Sequence, residues 1–112
     1  MEIKTIEYDN SKTICPLDYA FKRIGGKFKG RIIYRLSENG NVLRYNELLK
    51  IISGITPKML VHALKELEED ELISRKVYPV VPPKVEYSLT GKGEELIPFI
   101  LYLADWGKNK LQ

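Results

Sequence analysis

Cysteine and histidine are almost absent. Cys15 is the sole cysteine, so no disulfide can form within the chain and no cysteine-based zinc site can be assembled. His62 is the sole histidine, which removes histidine-rich metal sites as well. No apolar run reaches the length that spans a bilayer. The polar start from Met1 to Lys12 lacks the apolar segment of a secretory leader. A soluble, cytoplasmic chain with no membrane partner is expected. Also missing are a glycine-rich phosphate loop, a Ser-His-Asp order, a pocket-like pair of carboxylates and a metal cluster. Enzyme chemistry is therefore not expected, and no cofactor is.

What is present suits one compact domain. The chain has 112 residues, 44% of them hydrophobic, which is enough for a core and too much for disorder. A lone domain this small is marginal, and an oligomer would help it. The net charge of +3 is too weak to name a nucleic-acid partner by itself, so the distribution of charge has to decide.

Residues 1–14 read as a flexible N-terminal arm, and residues 15–112 as a single domain. Cys15-Pro16 opens a first helix with Leu17, Ala20, Phe21 and Ile24 on one face, stopped by Gly25-Gly26. A second helix is expected from Lys27 to Glu38, then a turn at residues 39–41, and a very short strand at Val42-Leu43. A third helix covers Arg44 to Ile52, with Tyr45, Leu48, Leu49 and Ile52 at helical spacing. Thr56-Pro57 is a strong helix start, with Thr as cap and Pro in the first turn, and this fourth helix runs to about Asp70. Two β-type runs, Leu72 to Val77 and Lys84 to Leu89, flank a stiff tip, Tyr78-Pro79-Val80-Val81-Pro82-Pro83, and read as a hairpin. Thr90 caps a last helix over residues 91–108, with Pro98 expected to kink or break it.

Two helices joined by a short turn, the second followed by a hairpin, make a helix-turn-helix with a wing. The expected class is α+β, mainly helical, with a two-stranded β-hairpin wing and terminal dimerisation helices. On the fourth helix Leu60, Leu64 and Leu67 cluster on one face, while Lys58, Val61, His62, Lys65 and Glu69 lie on or near the opposite one. Glu66, Glu68, Glu69, Asp70 and Glu71 crowd its C-terminal end. A groove-inserted helix keeps carboxylates away from phosphates in this way, although a solvated amphipathic helix would also carry charges. Arg44, Thr56 and Pro57 complete the candidate reading surface. Arg75, Lys76 and Lys84 flank the hairpin tip, where cations neutralise phosphates. Lys22, Arg23, Lys27, Lys29, Arg31 and Arg35 form an acid-free stretch, and Lys27 and Lys29 at a helix N-terminus are its best phosphate candidates.

The residues at this point resemble the HxlR-type winged helix-turn-helix regulators, relatives of the MarR group. The matching segments are Cys15-Pro16, Ile24-Gly25-Gly26-Lys27-Phe28-Lys29, Arg44-Tyr45-Asn46-Glu47-Leu48 and Gly54-Ile55-Thr56-Pro57-Lys58-Met59-Leu60. They continue with Leu64-Lys65-Glu66-Leu67-Glu68, the run from Tyr78 through Glu86-Tyr87-Ser88-Leu89-Thr90, and Asp105-Trp106-Gly107. Phe28 stands where the family usually has Trp, and Pro57 where a Ser or Gln-like residue is more usual, which bears on base contacts. The resemblance implies a homodimeric transcription factor that binds duplex DNA and dimerises through its terminal helices. The last helix agrees: Leu96, Phe99, Ile100, Leu103 and Trp106 lie on a helix apolar nearly all round, which one small domain cannot cover. The resemblance also implies that an N-terminal cysteine sometimes senses oxidants or electrophiles. Cys15 is then either such a redox sensor, at a helix N-terminus that favours the thiolate, or a small residue packed near the dimer interface. An oxidant or small-molecule effector is compatible with both.

The function read from the sequence is a sequence-specific duplex-DNA-binding transcriptional regulator, a homodimer on near-palindromic operators. The alternative is a winged-helix protein-interaction module that does not bind DNA.

Overall fold

The computed structural model describes residues 6–8 and 12–112. Helices carry most of the described chain, and the core forms where three of them meet a small sheet. Helix α1 (Pro16–Ile24) is followed by α2 (Lys29–Glu38), α3 (Tyr45–Ile51) and α4 (Pro57–Glu69). Ahead of them lie strands β1 (Ile6–Tyr8) and β2 (Lys12–Ile14), paired antiparallel with Ile6 opposite Ile14. The expected N-terminal arm thus contains a ladder, and its residues 1–5 and 9–11 lie outside the described residues.

The wing is larger than the two-stranded hairpin read from the sequence. Strands β4 (Ile73–Tyr78) and β5 (Lys84–Leu89) form the hairpin, and β3 (Val42–Arg44) joins its free edge in the order β3-β5-β4, all antiparallel. The register sets Leu43 opposite Tyr87 and Ile73 opposite Leu89, so one face of the sheet closes the core. Ile32, Ile33 and Leu36 of α2, Leu48 of α3 and Leu60, Leu64 and Leu67 of α4 fill the rest. Each helix buries the stripe that its 3.6-residue period provides.

The end of α4 is a Schellman motif without glycine. The Leu72 N–H donates to the Leu67 carbonyl and the Glu71 N–H to the Glu68 carbonyl, both at 3.0 Å. Glu71 occupies the left-handed position with φ 61°, where glycine is the usual choice. The chain then enters β4 with Leu72 already buried.

The last helix differs from its expected form. It is two helices, α5 (Gly91–Glu94) and α6 (Ile97–Leu111). The break precedes Pro98, which sits in the first turn of α6, where a missing N–H leaves no helical bond unmade. Thr90 caps α5: its Oγ1 accepts from the Gly93 N–H at 3.0 Å and donates to the Glu71 carbonyl at 2.6 Å. Gly93 is buried against the backbone of Leu72, and any Cβ there would fall on the Leu72 carbonyl. No helix among the described residues is long and apolar enough to cross a membrane.

Helix α1 is also turned otherwise than its apolar stripe suggests. Ile24 is buried, but Leu17 is 52% and Phe21 50% exposed. Two residues of that stripe thus face outward.

Candidate nucleic-acid interface

Helix α4 starts where the sequence places it. The Thr56 side chain accepts from the Met59 N–H at 3.1 Å, and Pro57 occupies the first turn. Gly54, with φ 82°, turns the chain out of α3, and Arg31 of α2 donates to the Ser53 carbonyl at 2.9 Å to hold that turn. Leu60, Ala63, Leu64 and Leu67 are buried, which leaves Thr56, Pro57, Lys58, Val61, His62 and Lys65 exposed together on the outer face. The first turn of α4 has no acidic residue. Lys58 and Lys65 have no ion-pair partner among the described residues.

The wing supplies the other wall. Val61 and Lys65 of α4, Arg44 and Tyr45 at the start of α3, and Arg75 and Val85 of the hairpin line one open concavity of about 940 Å³. Arg44 is exposed at the N-terminus of α3, and its N–H donates to Glu47 Oε1 at 2.9 Å. Arg75 lies opposite Tyr87 in the ladder and is exposed. Strand alternation puts Lys76 and Tyr78 on the other face. There Lys76 Nζ lies 4.8 Å and Lys84 Nζ 4.7 Å from the centroid of the Tyr78 ring. The Tyr78 hydroxyl donates to Glu86 Oε1 at 2.8 Å, and Lys84 Nζ lies 3.4 Å from Glu86 Oε2. The Tyr78 hydrogen bond, above all, holds the Glu86 carboxyl below the usual carboxylate range, helped by Lys84 and Arg44 against partial desolvation. Arg75 therefore stands on the concave face and Lys76 on the other, while Lys84, at the tip, both lines the concavity and reaches the Tyr78 ring.

The basic stretch at the α1–α2 corner is placed differently from its expected role. Helix α2 begins at Lys29, not Lys27, with Phe28 as its cap residue. Lys27 stays exposed in the turn. Lys29 does not present a free ammonium: Nζ donates to the Lys22 carbonyl at 3.0 Å and lies 3.2 Å from Glu66 Oε2, with its side chain only 12% exposed. Its partner, Glu66 of α4, also meets His62 Nε2 at 2.7 Å through Oε1. Arg23 stacks on Tyr19, 3.6 Å from its ring centroid, and Arg35 pairs with Glu38 at 2.9 Å. Local partners thus absorb much of the charge that looked available.

The apolar last helix divides. Ile100, expected at a partner interface, is buried in the domain's own core, and Leu96 is half-buried against it. Phe99, Leu103 and Trp106 remain 41, 45 and 56% exposed along one face of α6. Sequence reasoning missed that Leu17 and Phe21 of α1 are exposed as well; amphipathic spacing alone does not tell which body a stripe faces. Cys15 is the half-buried cap residue of α1, and its side chain makes no capping hydrogen bond. It lines a shallow depression with Asp18, Tyr19, Phe21, Lys22 and Arg23. No group of acidic, His and Cys side chains suited to a metal ion occurs among the described residues.

The fold recurs in known proteins. The family model described as HxlR-like helix-turn-helix matches residues 23–112. The chain is 51% identical over 96 residues to the HTH-type transcriptional regulator BH0655 of Halalkalibacterium halodurans, covering 85% of this chain and 84% of that one. It is 46% identical over 99 residues to the regulatory protein MalR of Fusobacterium mortiferum, covering 88 and 92%. The solved structure of the redox regulator HypR in its oxidised form superposes with a TM-score of 0.79 at 43% identity, covering 85% of this chain and 96% of that one. With the winged helix-turn-helix in place and the relatives all regulators rather than enzymes, the chain belongs to the HxlR-like helix-turn-helix family of transcriptional regulators.

Proposed function

We propose that this regulator binds duplex DNA sequence-specifically, as a homodimer on near-palindromic operators. The observation that carries the reading is the concavity between α4 and the wing, walled by Arg44, Lys65, Arg75 and Lys84 with Glu68 as its one carboxylate, on a helix whose first turn is acid-free. A duplex fits such a surface with α4 in the major groove and the wing along the neighbouring backbone. Thr56, Pro57, Lys58, Val61, His62 and Lys65 then face base edges. Lys27, Arg44, Arg75, Lys76 and Lys84 serve phosphates, while Lys29 acts inside the protein as a tie.

The homodimer is supported by the apolar faces that one chain leaves open: Leu17 and Phe21 on α1, and Phe99, Leu103 and Trp106 on α6. A second copy would cover them and set two α4 helices about 34 Å apart, one turn of DNA. HypR is named a redox regulator, and Cys15 lies at the surface next to the open face of α1; an oxidant, or a small molecule bound there, is the effector class we assign. Such a regulator works in the cytoplasm beside its DNA.

The test is a gel shift on selected DNA together with light scattering. Lys58→Ala and Lys65→Ala should each weaken binding by about 1–3 kcal/mol. Leu103→Glu should convert a dimer to monomers. Unchanged affinity in both lysine variants overturns the role of α4, and a monomeric wild-type chain overturns the dimer. A protein-interaction module would instead show no DNA binding at any salt concentration and a stable partner in pull-down.

A further inference from the structure

We infer that Glu66 is a positioning residue that sets the hydrogen-bonding polarity of His62, and through it the choice between cytosine and guanine at one position of each half-site. The second part rests on the reading of α4 as the groove-bound helix. His62 lies on the exposed face of α4 with its side chain 78% exposed, and its Nε2 is 2.7 Å from Glu66 Oε1. At that distance a carboxylate oxygen and a bare ring lone pair repel, so the neutral ring carries its proton on Nε2. Nδ1 is then a lone-pair acceptor and cannot donate.

Glu66 is not free to turn away. Its Oε2 is held 3.2 Å from Lys29 Nζ, and that ammonium, only 12% exposed, is fixed in turn by the Lys22 carbonyl at 3.0 Å. The end of α1 therefore decides which carboxylate oxygen faces the imidazole. Lys29, His62 and Glu66 line a small depression, and Lys27 is the other charged side chain along it. In the major groove an acceptor matches the N4 amine of cytosine and opposes guanine, which offers only N7 and O6 acceptors.

Glu66→Gln keeps the shape and reverses the logic. Lys29 needs an oxygen and retains the amide carbonyl. The amide NH2 then faces His62 Nε2, which must accept, and the ring proton moves to Nδ1. Nδ1 becomes a donor suited to guanine.

His62 is the only imidazole in the chain, so long-range proton–nitrogen spectra of the free full-length protein at pH 8 report it alone. The wild type should show the proton on Nε2, Glu66→Gln on Nδ1, and Glu66→Ala a mixture. Selection from a randomised duplex pool at the same pH should favour cytosine over guanine with the wild type and guanine with Glu66→Gln. One gained or lost hydrogen bond shifts the ratio about fivefold each way. Glu66→Ala and His62→Ala should flatten it. The same tautomer in wild type and Glu66→Gln overturns the inference, as does a tautomer flip with an unchanged base ratio. Lys58→Ala and Lys65→Ala separate the two levels. If both bind DNA as well as the wild type, the reading of α4 has failed; if either is weakened and the Glu66 variants do nothing, only the inference has.

Discussion

Replacing Arg75 by alanine should flatten the salt dependence of DNA binding by an amount that also counts the subunits. Arg75 is exposed, lines the concavity facing α4, and has no ion-pair partner among the described residues. Its guanidinium can therefore neutralise one phosphate in full. Each neutralised phosphate contributes about 0.9 to the slope of log affinity against log salt, so two copies on one operator contribute about 1.8. Raising salt from about 50 to about 200 mM should then cost the wild type roughly twelvefold more affinity than the variant, against roughly 3.5-fold if a single copy binds. Fluorescence anisotropy at four or five salt concentrations measures the slope directly. Lys92→Ala is the control, because Lys92 lies exposed on α5, at the end of β5 away from the wing tip. It removes the same charge outside the groove and should leave the slope alone, since exposed charges are screened within about 10 Å. Equal slopes for Arg75→Ala and wild type, or an equal drop in Lys92→Ala, would refute the local phosphate contact.

Three further outcomes follow from the scaffold. Glu71→Gly relieves a left-handed non-glycine residue and should raise stability by about 0.5–1 kcal/mol, seen as a Tm increase of a few degrees. Gly93→Ala forces a methyl group onto the Leu72 carbonyl and should cost about 1–3 kcal/mol in urea unfolding. The depressed Glu86 carboxyl contributes stability that is present above its ordinary range and is lost as pH falls through the folded value; Tyr78→Phe removes the first cause and should move the carbon-detected titration of Glu86 back up.

Helix α4 was legible because several local signals agree there. Thr56-Pro57 marks the start, the leucines mark the buried face, and the glutamates mark the far end. The hairpin was legible from its prolines. What escaped is set by distant partners. The short strand at Val42-Leu43 was expected, but its place in the wing was not, because β5, far along the chain, supplies the edge it joins. Lys29 looked like a phosphate ligand until the fold brought Glu66 beside it. Leu17 and Phe21 have the spacing of a core stripe, and spacing cannot say whose core. Pro98 was recognised as a breaker, but the break falls ahead of it because a proline is cheapest in a helix's first turn.

The wing tip has a consequence for how the protein discriminates among sites. Val81 is fully exposed and Val80 half so, held between Pro79 and the Pro82-Pro83 pair. Prolines fix φ, so the free tip samples few shapes and surrenders little conformational entropy when it meets DNA. The same stiffness denies it the means to adapt. A flexible basic finger would follow a groove of any width; in the proposed mode of binding this one would work as a gauge, and a duplex whose groove departs from the fitted width would have to bend to it at an energetic cost that depends on sequence. Base pairs that no side chain touches can in this way weigh on operator choice.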